Sequence, residues 1–534
     1  MRTKRTALTF CSVLLSCALL SGTLQAAAFS GRFNMSYLYF GSPSSYVHTV
    51  QQTKGSLQEI APNYFNLTPE GNLDITGSGI SSFVSSMHKQ GIKVVPFLSN
   101  HWDRALGIRA LNNRVSLAQQ IADAIQTYNL DGINVDIENV THEQRNAYSE
   151  FVELLRRKLP RDKVVAVAVA ANPYGFTTGW HGSYDYARLV KSADYLMMMT
   201  YDEHYQGGEP GPVASYSFME KSVQYALKYA PREKLVLGIP FFGRVWSNSG
   251  TLMKGNGVNE TQIASLIKQY RGVVKHDPAS GSAYATITVT AADPKPTIHG
   301  KTLTAGQYTI WYESEQSKKR QLSLVEKYDL LGSGSWSLGQ EFDNTWDYYS
   351  LWLNGRPFSD TQGHWATQAV IETADRGWMT GQSSTAFGPN RSLTRAEAAA
   401  VLCRVRAFSA APAHVPDFSD TKGHWAEDEI RTAYYHGLVE GIGAGQYAPD
   451  APVSRQEMAV MLHRAFPQVG ALPSRSPFPD VSRHQFPWSY EAILRLTQAG
   501  IFNGFGDGTF RPTAMITRAE LASLLTRLAA LLDL

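Results

Sequence analysis

Asn134, Asp136 and Glu138 occupy alternate positions of the run Asp131-Gly132-Ile133-Asn134-Val135-Asp136-Ile137-Glu138. In a β-strand, residues two apart share a face, so these three point one way and Ile133, Val135 and Ile137 the other. Positions two apart lie about 7 Å from each other. At that spacing each charge raises the cost of ionising its neighbour, and one carboxyl can stay protonated near neutral pH. A protonated carboxyl beside an ionised one is a general acid with an electrostatic partner. The bland alternative has these acids capping a strand end or pairing with Lys or Arg. The strongly apolar opposite face and the helical pattern that follows weigh against it. Acids stacked along a strand, one at its C-terminal end, suit the catalytic end of an α/β barrel.

The elements needed to position such a strand are present. From Phe29 to about Leu353, short β-rich runs alternate with longer amphipathic ones. The expected strands are Phe33–Tyr39, Tyr64–Leu67, Lys93–Leu98, Gly132–Glu138, Val164–Ala170, Tyr195–Tyr201, Lys234–Pro240 and Gly334–Leu338. Helical patterns are clearest in Leu117–Tyr128, His142–Lys158, Phe218–Tyr229 and Lys318–Tyr328. Eight strands in this alternation predict an α/β fold, a (β/α)8 TIM barrel. A long gap before the last strand, about residues 247–308, contains the β-prone Tyr284–Val289. It reads as a small α+β insertion walling one side of the cleft.

After Leu353 a repeat takes over, which signals an array. Phe358-Ser359-Asp360, Phe418-Ser419-Asp420 and Phe478-Pro479-Asp480 recur in step. His364-Trp365-Ala366 and His424-Trp425-Ala426 follow the first two, with Trp488 a displaced counterpart in the third. Each unit ends in a mostly amphipathic helix opening with Thr394-Arg395-Ala396-Glu397, Ser454-Arg455-Gln456-Glu457 or Thr517-Arg518-Ala519-Glu520. Thr or Ser with Glu three residues on is a capping box, and capping is the favoured role of those Glu residues. Capping does not require the Arg. Either it is a solvated surface residue or its planar fork meets an anionic ligand.

The chain opens with Met1-Arg2-Thr3-Lys4-Arg5, an apolar run from Ala7 to Leu20, and Ala26-Ala27-Ala28. This predicts a secretory signal peptide over residues 1–28. A lipoprotein reading at Cys17 is the weaker one, because that residue sits inside the apolar run. The apolar run is short for a membrane span, and nothing later reaches spanning length. Of 49 Lys and Arg against 46 Asp and Glu, three basic residues lie in the leader, so the remainder balances. That balance gives no case for nucleic-acid binding. Cys11 and Cys17 leave with the leader, and Cys403 alone cannot form an internal disulfide. An exported chain with one thiol fits a bacterial surface protein stabilised by the size of its core. Asn66-Leu67-Thr68 is then a chance sequon.

The first half resembles family 18 glycoside hydrolases, whose fourth-strand signature is D-G-x-D-x-D-x-E. Met199-Thr200-Tyr201-Asp202 is similar to that family's sixth-strand motif. Gly238-Ile239-Pro240-Phe241-Phe242-Gly243-Arg244 is similar to the seventh, and Gly334-Ser335-Trp336-Ser337-Leu338 to the eighth-strand tryptophan region. Tyr201-Asp202-Glu203-His204 and Glu209-Pro210-Gly211-Pro212 look most like the spore cortex-lytic branch. The resemblance implies substrate-assisted catalysis, an exception to the two-carboxylate scheme. Glu138 would protonate the glycosidic oxygen while the substrate's 2-acetamido carbonyl attacks the anomeric carbon to form an oxazolinium ion. Asp136 would orient the acetamido N–H, and Tyr201 would hydrogen-bond its oxygen. Asp131, Asn134, Met199, Asp202 and Trp336 are the implied substrate-binding residues. Trp336 is either an apolar floor under the sugar or a barrel-core aromatic. Asp202 either borders the same subsite or forms a structural salt bridge, and Met197–Met199 largely packs the core. No metal and no cofactor are implied. Two departures stand out: Asn134 occupies a family Asp position, so Asp136 should ionise more easily, and Phe242 replaces a common tyrosine.

The repeats resemble S-layer homology domains, which places units at residues 354–415, 416–475 and 476–534, after a barrel at 29–353. Such triplets bind pyruvylated secondary cell-wall polysaccharide. The implied contacts are Asp360, Asp420 and Asp480; Trp365, Trp425 and Trp488; and Arg395, Arg455 and Arg518. Each Trp is alternatively part of the repeat core. Gly504-Phe505-Gly506-Asp507-Gly508 reads as a Gly-rich turn before it reads as a calcium loop. The leading functional expectation is a secreted β-N-acetylglucosaminidase held on a Gram-positive-type wall and acting on peptidoglycan. A chitinase is the second. A sugar-binding protein on an inactive barrel is a third, opposed by the joint presence of Glu138, Asp136 and Tyr201. A purely structural wall protein would need none of those three.

Overall fold

A computed structural model of the protein describes residues 31–532 other than 413; the expected leader lies outside the described residues. Eight parallel strands close a barrel. They are β1 (Phe33–Leu38), β2 (Glu59–Pro62), β3 (Lys93–Val94 and Phe97–Ser99), β4 (Gly132–Asp136), β5 (Val164–Ala170), β6 (Tyr195–Met199), β7 (Leu235–Pro240) and β8 (Gly332–Trp336). Each pairs with its successor, and β8 returns to β1 through Phe33↔Gly332 to Ser36↔Ser335. Pro96 divides β3 because it has no N–H to give the ladder; its carbonyl still accepts from the Asn134 N–H at 2.9 Å. Strand β8 must be made of small residues where it meets β1: a Cβ on Gly332 would lie 1.7 Å from the Phe33 carbonyl oxygen.

The second strand differs from expectation. Phe65–Leu67 forms a hairpin with Leu73–Ile75, and the barrel position belongs to Glu59–Pro62. A run of four ending in proline, with a charged residue at its start, carries little strand signal. Glu59 is nevertheless buried, with its carboxylate taking the Tyr195 hydroxyl's hydrogen bond.

Inside the barrel pack Met35, Tyr37, Val95, Phe97, Ala166, Met197 and Val236. Between strands and helices lies a larger apolar layer that runs without a break into the repeats. The insertion is wider than the sequence suggested. Its five-stranded antiparallel sheet uses Phe242–Ser247, Lys254–Asn259, Val273–His276, Ala283–Val289 and Gly306–Tyr312, covered by the helix Glu260–Gln269. A buried Lys318–Glu260 pair at 2.5 Å ties it to the barrel. Among the described residues no helix is long and apolar enough to cross a membrane.

Each repeat contributes two helices, and the pairing is cyclic. Arg395–Val405 packs on Glu427–Tyr435, Arg455–Ala465 on Tyr490–Gln498, and Arg518–Leu532 back on Thr367–Asp375. At the centre three backbone bonds form a closed triangle, each 2.9 Å: Leu393 N–H to Ile516, Ile516 N–H to Val453, Val453 N–H to Leu393. Cys403 is buried and free.

Candidate active site

Glu138 follows the C-terminal end of β4 and is set there by a side chain just after β3. The Asn100 amide accepts from the Glu138 N–H and donates to its carbonyl, both at 2.8 Å. The Tyr148 and Tyr184 hydroxyls hold Ile137 from below, at 3.3 and 3.2 Å. The last turn before the acid is thus fixed on every side by hydrogen bonds.

Glu138, Asp136, Met199, Tyr201, Asp202 and Trp336 line one cavity of about 520 Å³. Asp136 is 5% exposed, and its Oδ1 has no partner among the described residues. Burial alone pushes its carboxyl up to about 7. Glu138 is held well above the usual carboxylate range, first by burial and then by the charges of Asp136 and Asp202. Both carboxyls at this strand end are thus biased towards the protonated form. Asn134 is fully buried beneath Asp136; its Oδ1 accepts from the Tyr37 hydroxyl at 3.2 Å and its Nδ2 has no partner. A neutral Asn134 adds no charge to Asp136, and burial still raises its carboxyl.

Asp202 forms the salt bridge expected of it. It faces the cavity with a left-handed backbone (φ 60°), and Arg244 grips its Oδ1 through Nε at 2.7 Å and a terminal nitrogen at 2.6 Å. Trp336 packs on Tyr37, Tyr39 and Phe97 at 5.2, 5.5 and 5.9 Å and faces the cavity. Tyr201 meets Phe242 edge to face at 5.9 Å, with no hydroxyl opposite.

Asp131 requires correction. It precedes β4, seven residues and roughly 20 Å of strand from Glu138. It accepts from His88 Nε2 at 2.7 Å and the Val94 N–H at 2.8 Å, at the far end of the barrel. It is a structural bridge and does not reach the cavity.

Several lining residues escaped the sequence reading. Tyr37, Phe40 and Trp102 come from β1 and the loop after β3; Asn259, Gln262 and His299 come from the insertion, which thus walls the cleft. Trp102 and Phe40 are half exposed, at 50% and 48%.

A family model for the glycosyl hydrolases of family 18 matches residues 39–341, more than half of the chain. The chain belongs to glycosyl hydrolase family 18. A second model, the S-layer homology domain, matches residues 357–399, 417–459 and 477–522. An uncharacterised glycosylase, YvbX, of Bacillus subtilis is 28% identical over 52% of this chain and 80% of its own length. The cortical fragment-lytic enzyme of B. subtilis is 22% identical over 53% of this chain and 65% of its own. Among solved structures, a chitinase from Chromobacterium violaceum superposes with TM-score 0.51 at 25% identity, covering 59% of this chain and 97% of its own. The family 18 barrel thus carries the acids, and three S-layer homology domains follow it.

In the repeats the structure redistributes the expected contacts. Asp360, Asp420 and Asp480 each accept two consecutive backbone N–H groups at 2.7–2.9 Å, so they pin turns. The three Arg residues are neither solvated nor free forks. Arg455 donates to the carbonyls of Phe510 and Asn503 and to Glu520, Arg395 to Tyr447, Glu440 and Glu457, and Arg518 to Phe387, Thr380 and Glu397. The carboxylate partners Glu457, Glu520 and Glu397 each belong to another repeat and also close their own capping boxes. The Trp residues are not core: Trp365, Trp425 and Trp488 are 66%, 58% and 56% exposed. Trp365 faces Arg455 across one groove, and Trp488 faces Arg395 across another. These two grooves thus join residues of different repeats. Asp507 is taken up by Thr509 and Arg511, which makes its glycine-rich segment a turn.

Proposed function

We propose that this family 18 enzyme is a retaining β-N-acetylglucosaminidase that cleaves β-1,4-linked N-acetylglucosamine bonds by substrate-assisted catalysis. The observation that carries it is the disposition of carboxylates in the cavity. Glu138 sits at the strand end as the acid, Asp136 lies beside it with an unpartnered oxygen, and Arg244 occupies Asp202. No other carboxylate lines the cavity among the described residues to act as a separate nucleophile. Glu138, kept protonated, donates to the leaving oxygen. The substrate's acetamido oxygen closes on the anomeric carbon, and water later opens the oxazolinium ion. Asp136 accepts the acetamido N–H, the Tyr201 hydroxyl donates to its carbonyl, and Trp336 floors the ring.

Peptidoglycan is the proposed substrate and the bacterial wall the proposed site of action. Secretion by the residue 1–28 leader and retention by the repeats support that reading, with the exposed Trp365 and Trp488 each offering a ring in a groove between repeats for a sugar to stack on. Chitin is the second reading, supported by the 25% identity with a chitinase. Digesting purified peptidoglycan and chitin, with mass spectrometry of the new reducing ends, separates the two. A thiazoline analogue of N-acetylglucosamine should inhibit competitively. Failure of that analogue, with a 2-deoxy-2-fluoro glycoside trapping an adduct on Asp or Glu, would establish the two-carboxylate mechanism instead.

A further inference from the structure

A second cavity, of about 570 Å³, opens at the N-terminal end of the barrel among the residues that begin β1, β2, β3, β5 and β6. It shares no residue with the catalytic cavity. That end of an α/β barrel ordinarily serves stability, over an interior filled by packed side chains. One side chain here is out of keeping with such a role. Glu59 lines the cavity, is 1% exposed and takes no part in the chemistry at the other end. A carboxyl buried for structure alone has its oxygens bonded. The Tyr195 hydroxyl donates to Glu59 Oε1, whereas Oε2 has no partner among the described residues.

The free groups around that oxygen are mostly donors. Glu59 forms no ion pair among the described residues, and a carboxylate buried without one takes up a proton instead. Burial pushes its carboxyl up to about 8, opposed by the Tyr195 hydroxyl and the more distant Lys93 and aided by Asp131 and Asp194. The Tyr37 hydroxyl lies near enough to feel its charge. Near neutral pH, Oε2 therefore carries the proton and is a donor. Gln58 lines the same cavity; its Oε1 accepts from the Asn34 N–H at 2.7 Å, which leaves the amide NH2 without a partner. Lys93, Arg161 and Lys163 complete this side and form no ion pair among the described residues. Of the acids on the rim, Asp194 is taken by Arg156 at 3.1 Å. Asp162 and Glu233 remain, so the three cations outnumber them. Phe33 and Tyr195, their rings 5.2 Å apart, supply an apolar wall.

A buried donor, surplus positive charge and an apolar wall suit an anion with a compact organic body, and the volume is that of a small-molecule site. We propose that this cavity is a second ligand site, in which Glu59, Lys93, Arg161 and Lys163 hold a small carboxylate. A sugar acid and the free end of a short peptide offer that chemistry equally. The ligand's carboxylate oxygen accepts from Glu59 Oε2 and lies against the cations. Binding thus requires the proton on Glu59. Affinity falls as pH rises through 8, where Glu59 ionises and repels the ligand while the lysines keep their charge.

The test is calorimetric titration of the full chain with D-glucuronate against D-glucose, and with N-acetyl-alanyl-alanine against its amide. At about pH 6.5 at least one carboxylate should bind roughly tenfold or more tightly than its uncharged counterpart, and the two arms show which source fits. From about pH 7 to pH 9 that affinity should fall roughly tenfold, with a proton taken up from the buffer on binding near pH 8. Glu59→Gln should bind without this pH dependence. Lys93→Ala/Lys163→Ala, which changes only the rim and so should fold, should bind roughly tenfold or more weakly with Tm and turnover on small substrates unchanged. No binding of either carboxylate, equal binding of the uncharged counterparts, or undiminished binding by the lysine variant overturns the site. A flat affinity across that pH range overturns the part given to Glu59.

Discussion

At the residue scale, the acids were legible because a two-residue period is a local property of one strand. What surrounds them was not. Asn100 and Tyr37 come from other strands, and an asparagine or tyrosine at a strand end carries no signal until the barrel closes. Asp131 misled for the complementary reason: it belongs to the same motif but lies at the other end of the strand. Glu138→Gln should keep the fold and lower turnover by about 10²–10⁴-fold, the usual share of general acid catalysis. Turnover within threefold of wild type on a substrate with a poor leaving group would remove Glu138 from that role. Asp136 gives a thermodynamic prediction. Its folded-state carboxyl is raised to about 7 from an unfolded value near 3.8, so the folded state holds the extra proton. Its favourable contribution is full below about pH 4 and is lost as pH rises through 7. Asp136→Asn should be severely impaired in turnover. Its Tm relative to wild type should nevertheless rise between pH 4 and pH 8, and a flat difference would show that Asp136 is not raised.

At the element scale, seven of the eight barrel strands fell where alternating runs placed them, to within a few residues. The exception, Glu59–Pro62, is short and bounded by a charge and a proline, so its strand character comes from β1 beside it. The insertion was visible as a gap but not in extent, since Phe242–Ser247 and Gly306–Tyr312 read as barrel continuation. One of the ties between the insertion and the barrel is a fully buried ion pair. Lys318 and Glu260 are both fully buried, Glu260 also accepts from the Phe342 N–H at 2.9 Å, and burial raises its carboxyl to about 7 despite the lysine. Removing one partner of such a pair typically costs about 3–5 kcal/mol, because the other is left buried and unpaired. Lys318→Met should therefore destabilise strongly in denaturant titration, and Lys318→Met/Glu260→Leu should recover most of the loss. Equal stability of the single and double variants would show that the pair does not hold the insertion.

At the scale of the whole molecule, the repeat was plain in the sequence but its assembly was not, since periodicity says nothing about which copy packs on which. The junction is also less open than its Asn354-Gly355 sequence suggests. Trp352 meets Phe358 at 5.9 Å, Lys319 sits over both rings at 5.5 Å, and its ammonium reaches the Ser384 carbonyl at 3.3 Å. A chain ending at residue 353 should stay active on small substrates but melt earlier than the full chain. Exposing each such large apolar side chain forfeits about 1.5–3 kcal/mol. An unchanged Tm for the barrel would show that the contact is incidental. Wall retention is better probed through tryptophan than arginine, because the Arg residues hold the array together. Trp365→Ala/Trp425→Ala/Trp488→Ala should leave the Tm unchanged and release the protein from untreated sacculi. Wild type should already fail to sediment with sacculi stripped by hydrofluoric acid. Retention of the triple variant would exclude these faces as the anchor.

The closed triangle of Leu393, Val453 and Ile516 has a consequence for how such an anchor can change. Each unit both gives and takes one backbone bond, and each Arg borrows its carboxylate from another unit, so the array has no terminal member to which a fourth could be added. Stacked repeat proteins lengthen by copying a unit, because their ends remain open. A ring cannot. Losing one unit here removes two of the three backbone bonds, and inserting one interrupts the ring, so the number of units is set by the geometry. Binding strength can then be tuned only by altering the grooves one by one, and the three units, alike only in their short motifs, are free to diverge in what they hold while remaining unable to part.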